Sequence, residues 1–364
     1  MYYTWFPYDS FGLDVYTLVG LFGSLWGVKP VYRRFGETAS VAWYWLVLML
    51  LCLGQRYFFD TQTFGSIFGM LRVLSWGLFV FGPLACWLGM REQSGPVGRR
   101  VVGGLGLLLA IIGIDAFWIE PNMLDVTNYV VRSSKISEPK RIVLLADIQT
   151  DSINTQTRQA LRMAKKQNPD FIVYAGDYLQ HSFWREYQPN IAPFNALLKE
   201  FQLDTIPSVV VEGDAEVHWG NQWHALFENT RATILDPSDR MRWQGIEIVG
   251  LTMKDSKNGR VPPVSSEEIF SIIVGHNPNF SLTRPKADLY LAGHTHGGQV
   301  RLPFLGPLVT LSEIPTEQTA GRTELDNGST LIVSRGIGME RYDAPRLRFL
   351  CHPEIVVIDL LPES

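Results

Sequence analysis

Cysteine is scarce in this chain: Cys52, Cys86 and Cys351 lie far apart and show no metal-binding spacing. A disulfide framework is therefore not expected, and cysteine usage says little about compartment. A basic excess is also missing. The net charge is −4 with no long basic run, which removes nucleic acid from the expected partners. The opening residues, MYYTWFPYD, carry no basic segment, so a secretory signal peptide is not expected. The sequence shows neither an internal repeat nor a low-complexity stretch. The apolar fraction, 46%, is ordinary; its distribution along the chain is not.

Four apolar stretches fill the first third, at residues 13–28, 39–53, 67–90 and 101–119. Short polar patches, 29–37, 55–63 and 91–100, separate them. A spanning helix needs about 20 mostly apolar residues. The third and fourth stretches meet that length, the second does if it extends to Tyr57 or Phe58, and Asp14 limits the first. Aromatic residues gather near the ends (Trp5, Tyr8, Trp43, Tyr44, Tyr57, Trp118), as in an aromatic belt. Residues 1–120 are therefore expected to form a bundle of about four transmembrane helices, in a multi-pass protein of the cell (inner) membrane. Lys29, Arg33 and Arg34 lie in the first connection and Arg91, Arg99 and Arg100 in the third, against Arg56 alone in the second. The positive-inside rule then puts the first and third connections in the cytoplasm. Everything after Ile119 is expected on the outer, periplasmic or extracellular, face.

Residues 121–140 are polar and mixed, with Pro121 and Pro139, and read as a connecting segment. Beyond them, residues 141–364 alternate short apolar runs with helical periodicity. RIVLLA (141–146), DFIVYA (170–175), PSVVV (207–211), SIIV (271–274) and a run at 287–292 read as buried strands, and residues 155–166 and 191–201 as helices. Such alternation predicts an α/β domain with a mainly parallel sheet covered on both faces. Ligands of such sheets bind beyond the carboxyl ends of the strands.

Five of those strand ends carry side chains able to hold a metal. Asp147 and Gln149 follow the first run, Asp177 the second, Asp214 the third, His276 the fourth, and His294 with His296 the last. One such aspartate is a turn or a helix cap; five consecutive ends, mostly beside glycine, are not explained that way. Residues two apart in an extended segment point the same way, so His294 and His296 can face one site. Together the set offers three carboxylates, one amide and three imidazoles. That is enough for two metals about 3.5–4 Å apart sharing a carboxylate, an arrangement suited to in-line attack on phosphorus.

The order D-x-[H/Q], GD, GN/D, GH, GHTH, as it stands at Asp147–Gln149, Gly176–Asp177, Gly213–Asp214, Gly275–His276 and Gly293–His296, resembles the calcineurin-like metallophosphoesterases. The later text GHTHGGQVRLPFLGPLVT, VSRGIG and PRLRFLCHPEIVVIDL is similar to the membrane-associated YkuE/YaeI-like branch of that family. The resemblance covers about residues 141–361 and implies a four-layer αββα sandwich with two central sheets. It also implies that Asp147, Asp177 and His296 hold a first metal, that Asp177 bridges, and that His276 and His294 hold the second. Three positions depart from the family pattern. Gln149 replaces a usual His, Asp214 a usual Asn, and Ala215 a His that acts on the leaving group; Glu216 stands where the family has Asp or Glu.

Other residues carry weaker expectations. Arg335, in SRGIG after a strand at 330–333, is a candidate phosphate contact. His181 and His218 are candidate replacements for the missing proton donor, against the plainer reading of solvated loop histidines. Asn277 could orient neighbouring ligands, and Trp184, Trp219 and Trp223 are expected to rim the site. The expected function is a membrane-anchored, two-metal phosphoester hydrolase. It would act on a phosphodiester or pyrophosphate of a phosphorylated small molecule or lipid near the membrane. Mn²⁺ is the expected metal, ahead of Mg²⁺, Fe, Ni²⁺ or Zn²⁺, because the departures favour oxygen donors. The alternative is a degenerate metal-binding scaffold that senses phosphorylated lipid without turnover. A transporter is disfavoured by the few polar groups in the spans.

Overall fold

The apolar stretches of the first third form helices, as their composition requires in a segment with almost no polar face. A computed structural model describes residues 10–59, 63–92, 95–181, 184–340 and 344–363. The chain divides into a helical unit, Met1–Ile119 with Glu340–Arg346, and a second unit, Glu120–Met339 with Leu347–Ser364. The helical unit contains α1 (Ser10–Phe35), α2 (Glu37–Phe59), α3 (Thr63–Trp76), α4 (Gly82–Glu92) and α5 (Pro96–Ile114). A wider helical turn at Gly77–Phe81 joins α3 to α4, just before Pro83, which has no N–H to give to the turn before it. Among the described residues, two runs are long and apolar enough to cross a membrane, Ile67–Arg91 and Pro96–Asn122. The apolar part of α2, Ser40–Gln55, is shorter. Trp5 and Tyr8, and the side chains of Asp14, Arg56, Tyr57 and Phe58, lie outside the described residues.

Two mixed six-stranded sheets build the second unit. Its strands are β1 (Asp125–Ser133), β2 (Lys140–Leu145), β3 (Phe171–Ala175), β4 (Ser208–Val211), β5 (Ala232–Ile234), β6 (Asp239–Trp243) and β7 (Ile246–Gly250). They continue as β8 (Ser271–Val274), β9 (Leu289–Ala292), the small hairpin β10 (Arg301–Leu302) and β11 (Gly306–Pro307), β12 (Gly321–Glu324), β13 (Thr330–Val333) and β14 (Glu354–Pro362). The first sheet runs β1-β14-β2-β3-β4-β5 and the second β12-β13-β9-β8-β7-β6. In each, the central strands β2-β3-β4 and β7-β8-β9 are parallel. Parallel strands covered on both faces are apolar at every position, and β3, β4, β8 and β9 are buried throughout.

Alternate side chains of the two sheets meet in one core: Leu144, Val173 and Val209 of the first sheet share it with Ile248, Ile272 and Leu291 of the second. The opposite face of the first sheet packs Val143, Ile172 and Val210 against α6 (Thr155–Lys166) and α7 (Trp184–Glu200). The outer face of the second sheet carries shorter cover, including Phe280 of the turn Pro278–Thr283. The helices α8 (Asp214–Val217) and α9 (Met253–Asn258) are short. The result is layered helix, sheet, sheet, helix.

One expectation needs correction. The segment 121–140 is not merely a connector, because Asp125–Ser133 forms β1, paired in parallel with β14 along its full length. Its partner lies more than 200 residues away in sequence, so nothing local reveals the pairing.

Candidate metal centre

Strands β2, β3 and β4 of one sheet and β8 and β9 of the other deliver Asp147, Asp177, Asp214, His276 and His294 to one place. Backbone bonds stitch the ends together: Asp147 N donates to Gly176 O at 3.1 Å, Gln149 N to Asp177 O at 2.8 Å, and Gly293 N to His276 O at 3.1 Å. To turn out of the sheet so sharply, Asp147, Gln149, Asp177, His294 and His296 all adopt φ between 41° and 71°. Left-handed backbone at a non-glycine residue costs about 1–3 kcal/mol and concentrates at functional sites. Two glycines permit the crowding. A Cβ at Gly176, where φ is +87°, would sit 2.6 Å from His276 Nδ1, and one at Gly293 would sit 2.5 Å from Asp147 Oδ2.

His276 shows what the arrangement is built to hold. Its ring is fully buried. Nδ1 lies 2.7 Å from the Ala175 carbonyl oxygen, an acceptor only, so Nδ1 carries the proton and Nε2 presents its lone pair. Nε2 has no hydrogen-bond partner among the described residues. It faces three carboxylates: Asp177 Oδ1 at 3.5 Å, Asp214 Oδ2 at 3.8 Å and Asp147 Oδ1 at 3.9 Å. A buried lone pair aimed at carboxylate oxygens is a contradiction without a cation between them.

A second cluster adjoins the first. His294 Nε2 lies 3.0 Å from the Leu311 carbonyl oxygen, and His294 Nδ1 lies 2.8 Å from Asp214 Oδ2. His296 Nε2 stands 3.7 Å from Asp147 Oδ1. Two groups therefore have the spacing to hold an ion, Asp147–Asp177–His276 and Asp214–His276–His294. The Gln149 amide nitrogen donates to Asp177 Oδ2 at 3.1 Å.

The electrostatics agree with the geometry. Burial, reinforced by the neighbouring carboxylates, pushes Asp147 and Asp177 each up to about 7. Burial lowers His276. Asp214 is half exposed, and although burial acts to raise it, the His294 hydrogen bond outweighs that and holds it at about 2. The same bond, against burial, lifts His294 to about 9.

Two residues without a firm sequence assignment support this frame. Glu216, fully buried, accepts from the backbone N–H groups of Asp177 (2.8 Å), Tyr178 (2.9 Å) and Gly213 (3.0 Å). Burial pushes its carboxyl well up while those three donors pull it back. Its place three residues after Gly213 at the start of α8 is a capping signal in the sequence. Leu311 acts through its carbonyl oxygen, which no side-chain pattern announces.

The strand-end residues come together; other expected site residues do not. Arg335 does not turn its guanidinium to the centre: it is tied to Glu354 Oε2 at 2.9 Å and Asp125 Oδ2 at 3.2 Å. Its guanidinium is thus already held by two carboxylates. Trp223 is fully buried and packs near Tyr178, with ring centroids 6.0 Å apart, so it belongs to the core rather than a rim. Trp184 and Trp219 both pack on Tyr187, at 5.5 and 4.8 Å. His218 is exposed, directly after α8. His181 lies 3.2 Å from Asn190 Nδ2. Asn277 is buried and its side chain accepts from Asn279 N at 3.0 Å.

Comparison with known proteins agrees with this geometry. Residues 140–298, which hold every strand-end residue named above, match the family described as calcineurin-like phosphoesterase. Residues 140–298 form a calcineurin-like phosphoesterase domain. As such it is a phosphoester hydrolase, of a family that uses divalent metals. Among similar proteins, the uncharacterized metallophosphoesterase YkuE of Bacillus subtilis is 29% identical over 67% of this chain and 88% of its own length. Phosphodiesterase YaeI of Escherichia coli is 23% identical over 61% of this chain and 83% of its own length. A transmembrane protein with metallophosphoesterase domain, from Danio rerio, is 24% identical over 93% of this chain and 86% of its own length. That last likeness runs through the helical unit as well as the metallophosphoesterase domain.

Proposed function

We propose that this hydrolase is membrane-anchored and uses two metals to cleave a phosphodiester or pyrophosphate of a lipid-linked or membrane-proximal substrate. The observation that carries the reading is the buried His276 Nε2, without a hydrogen-bond partner among the described residues and facing three carboxylates. Asp147, Gln149, Asp177 and His296 would hold one divalent ion, and Asp214, His276 and His294 the other, with Asp177 shared. Bound there, the ions would neutralise phosphoryl oxygens and make water acidic enough to serve as nucleophile. The oxygen-rich donors favour Mn²⁺.

The protein's own groups do the rest. The Ala175 and Leu311 carbonyl oxygens fix which nitrogen of His276 and His294 faces inward. Glu216 clamps the backbone on both sides of the shared aspartate. Ala215 offers no proton to a leaving group, so leaving groups that depart as stable anions are favoured; exposed His218 is the candidate donor for others. Similarity to the phosphodiesterase YaeI supports the diester reading. The two long apolar helical runs and the transmembrane relative support the anchor. The basic residues of the first and third connections support an outer-face hydrolase domain.

Ala215 also favours the second reading, a scaffold that binds phosphorylated lipid without turnover. Hydrolysis of bis(4-nitrophenyl) phosphate by the purified full chain separates the two. Turnover that requires added Mn²⁺ and stops with chelator supports the enzyme. Metal binding without turnover under any divalent ion supports the scaffold.

A further inference from the structure

The loop after the histidine pair carries an uncharged hairpin that points its apolar side chains into open space. From Leu302 to Ser312 the sequence LPFLGPLVTLS contains no ionisable residue. Strands β10 and β11 pair antiparallel, Arg301 with Pro307 and Leu302 with Gly306. At and beside the tip, Phe304 is fully exposed, Leu305 is 74% exposed and Leu308 55%. Scattered exposed apolar residues are ordinary, but a contiguous projecting cluster marks an interaction surface.

Both feet of the hairpin rest on the metal centre. At the first foot, Gln299 N donates to His296 O at 2.9 Å and Arg301 Nη1 to Gly297 O at 2.9 Å. At the second, Leu311 O faces His294 Nε2. The first foot is also joined to Glu120, in the turn that ends the apolar run Pro96–Asn122. Gln299 and Arg301 exchange backbone bonds with Phe349, and the neighbouring Leu350 N donates to Glu120 Oε2 at 2.7 Å. Leu350 is itself half exposed. The hairpin is therefore linked, through Phe349 and Leu350, to Glu120, the residue at which the chain enters the hydrolase unit.

We infer that the hairpin tip, Phe304, Leu305 and Leu308, inserts into the acyl boundary of a lipid bilayer beside the metal centre. An uncharged apolar tip suits acyl chains, which ask for no polar partner, and Glu120, to which the hairpin's foot is joined, directly follows Ile119, where the first stretch of the helical unit ends. Interfacial segments sink about 5–10 Å into the boundary, deep enough to bring a phosphate at headgroup level towards the histidines at the hairpin's feet. This inference rests on the membrane-anchored reading above.

The test uses the full chain in nanodiscs of phosphatidylcholine and phosphatidylglycerol. A genetically encoded fluorescent amino acid replaces Leu305, Val101 on α5 or the exposed Glu138, one at a time. Lipids with nitroxide on the upper acyl carbons are the quencher. The label at 305 should lose fluorescence to nearly the extent of the label at 101, while the label at 138 is unaffected. Adding Phe304→Asp and Leu308→Asp should abolish the loss at 305 and leave that at 101 unchanged. Quenching at 101 but not at 305 overturns the hairpin proposal and leaves the anchor standing. Quenching at neither overturns both. Protection of the 305 label from aqueous iodide without lipid quenching overturns the proposal in favour of a protein partner.

Discussion

In the helical unit, Val19, Phe22 and Trp26 of α1 and Val101, Leu107 and Ile111 of α5 are exposed, whereas every residue of β3, β4, β8, β9 and β13 in the hydrolase unit is buried. The contacts differ as much as the surfaces. Helices of the first unit approach at glycines, where a Cβ would collide: Gly20 against Leu51, Gly27 against Trp43, Gly106 against Cys86. Cross-helix bonds such as Trp43 Nε1 to Ser24 O and Tyr16 OH to Leu51 O supply the polar links. Small residues at the seams and apolar side chains outside are how helices associate in lipid, where burial of apolar surface gives no driving force. The hydrolase unit instead buries its apolar strands between layers and leaves polar groups at the strand ends, the pattern of a protein folded in water.

Several measurements would break or sharpen that contrast. The largest effect is all-or-none. A compartment-sensitive reporter fused after Leu361 should be active only outside the cytoplasm, and one inserted at Gly95 only inside. The reverse pattern would move the hydrolase unit to the cytoplasmic face; activity of both on one side would remove the spanning helices. Next comes the leaving group. A positioned general acid contributes about 10²–10⁴-fold, so Ala215→His should accelerate alkyl phosphodiester hydrolysis by up to about 10²-fold. It should change phosphoanhydride hydrolysis little. Equal effects on both substrates, or a selective loss of alkyl ester turnover in His218→Ala, would place the proton donor elsewhere.

A smaller effect follows from the buried carboxylates. Burial raises Asp147 and Asp177 from the ordinary 3.8 to about 7 in the metal-free fold. Between those values the folded state holds protons that the unfolded chain has released, so metal-free stability falls as pH rises through that window. The metal requires the deprotonated forms, so its stabilisation grows over the same range. Thermal unfolding with and without Mn²⁺ should show a larger metal-induced rise in Tm above neutrality than near pH 5. The rise should be about 2–4 °C per kcal/mol of added stability. A metal-induced rise independent of pH would mean that these carboxylates are not ligands.

What could be read from the sequence follows the same divide. The strand ends were legible because β2, β3, β4, β8 and β9 each close on a short apolar run, and each turns from it to Asp or His within three residues. The edges were not. β6 (DRMRW) and β12 (GRTE) lie at the sheet's rims, half exposed and charged, so they carry no strand pattern. β1 is held by β14, a partner no local signal names. Arg335 has the right neighbourhood for a phosphate contact, but Glu354 and Asp125 take its guanidinium, and only the fold reveals them. The Leu311 carbonyl oxygen and the Ala175 carbonyl oxygen orient the histidines without any side chain to betray them. In the helical unit, apolar stretches predicted helices well, while among the described residues two runs reach spanning length with the required hydropathy.

The most direct test of the metal centre is metal content and phosphodiester turnover of Asp177→Asn beside the unaltered chain. Asp177 Oδ1 lies 3.5 Å from His276 Nε2 and accepts from Ala215 N, while Asp177 Oδ2 accepts from Gln149. The unaltered chain should bind close to two ions. The variant should fold, lose most of the metal, and lose about 10²–10³-fold in turnover, as when one preorganised electrostatic group is removed. Metal content and turnover in Asp177→Asn equal to those of the unaltered chain would contradict the two-metal centre.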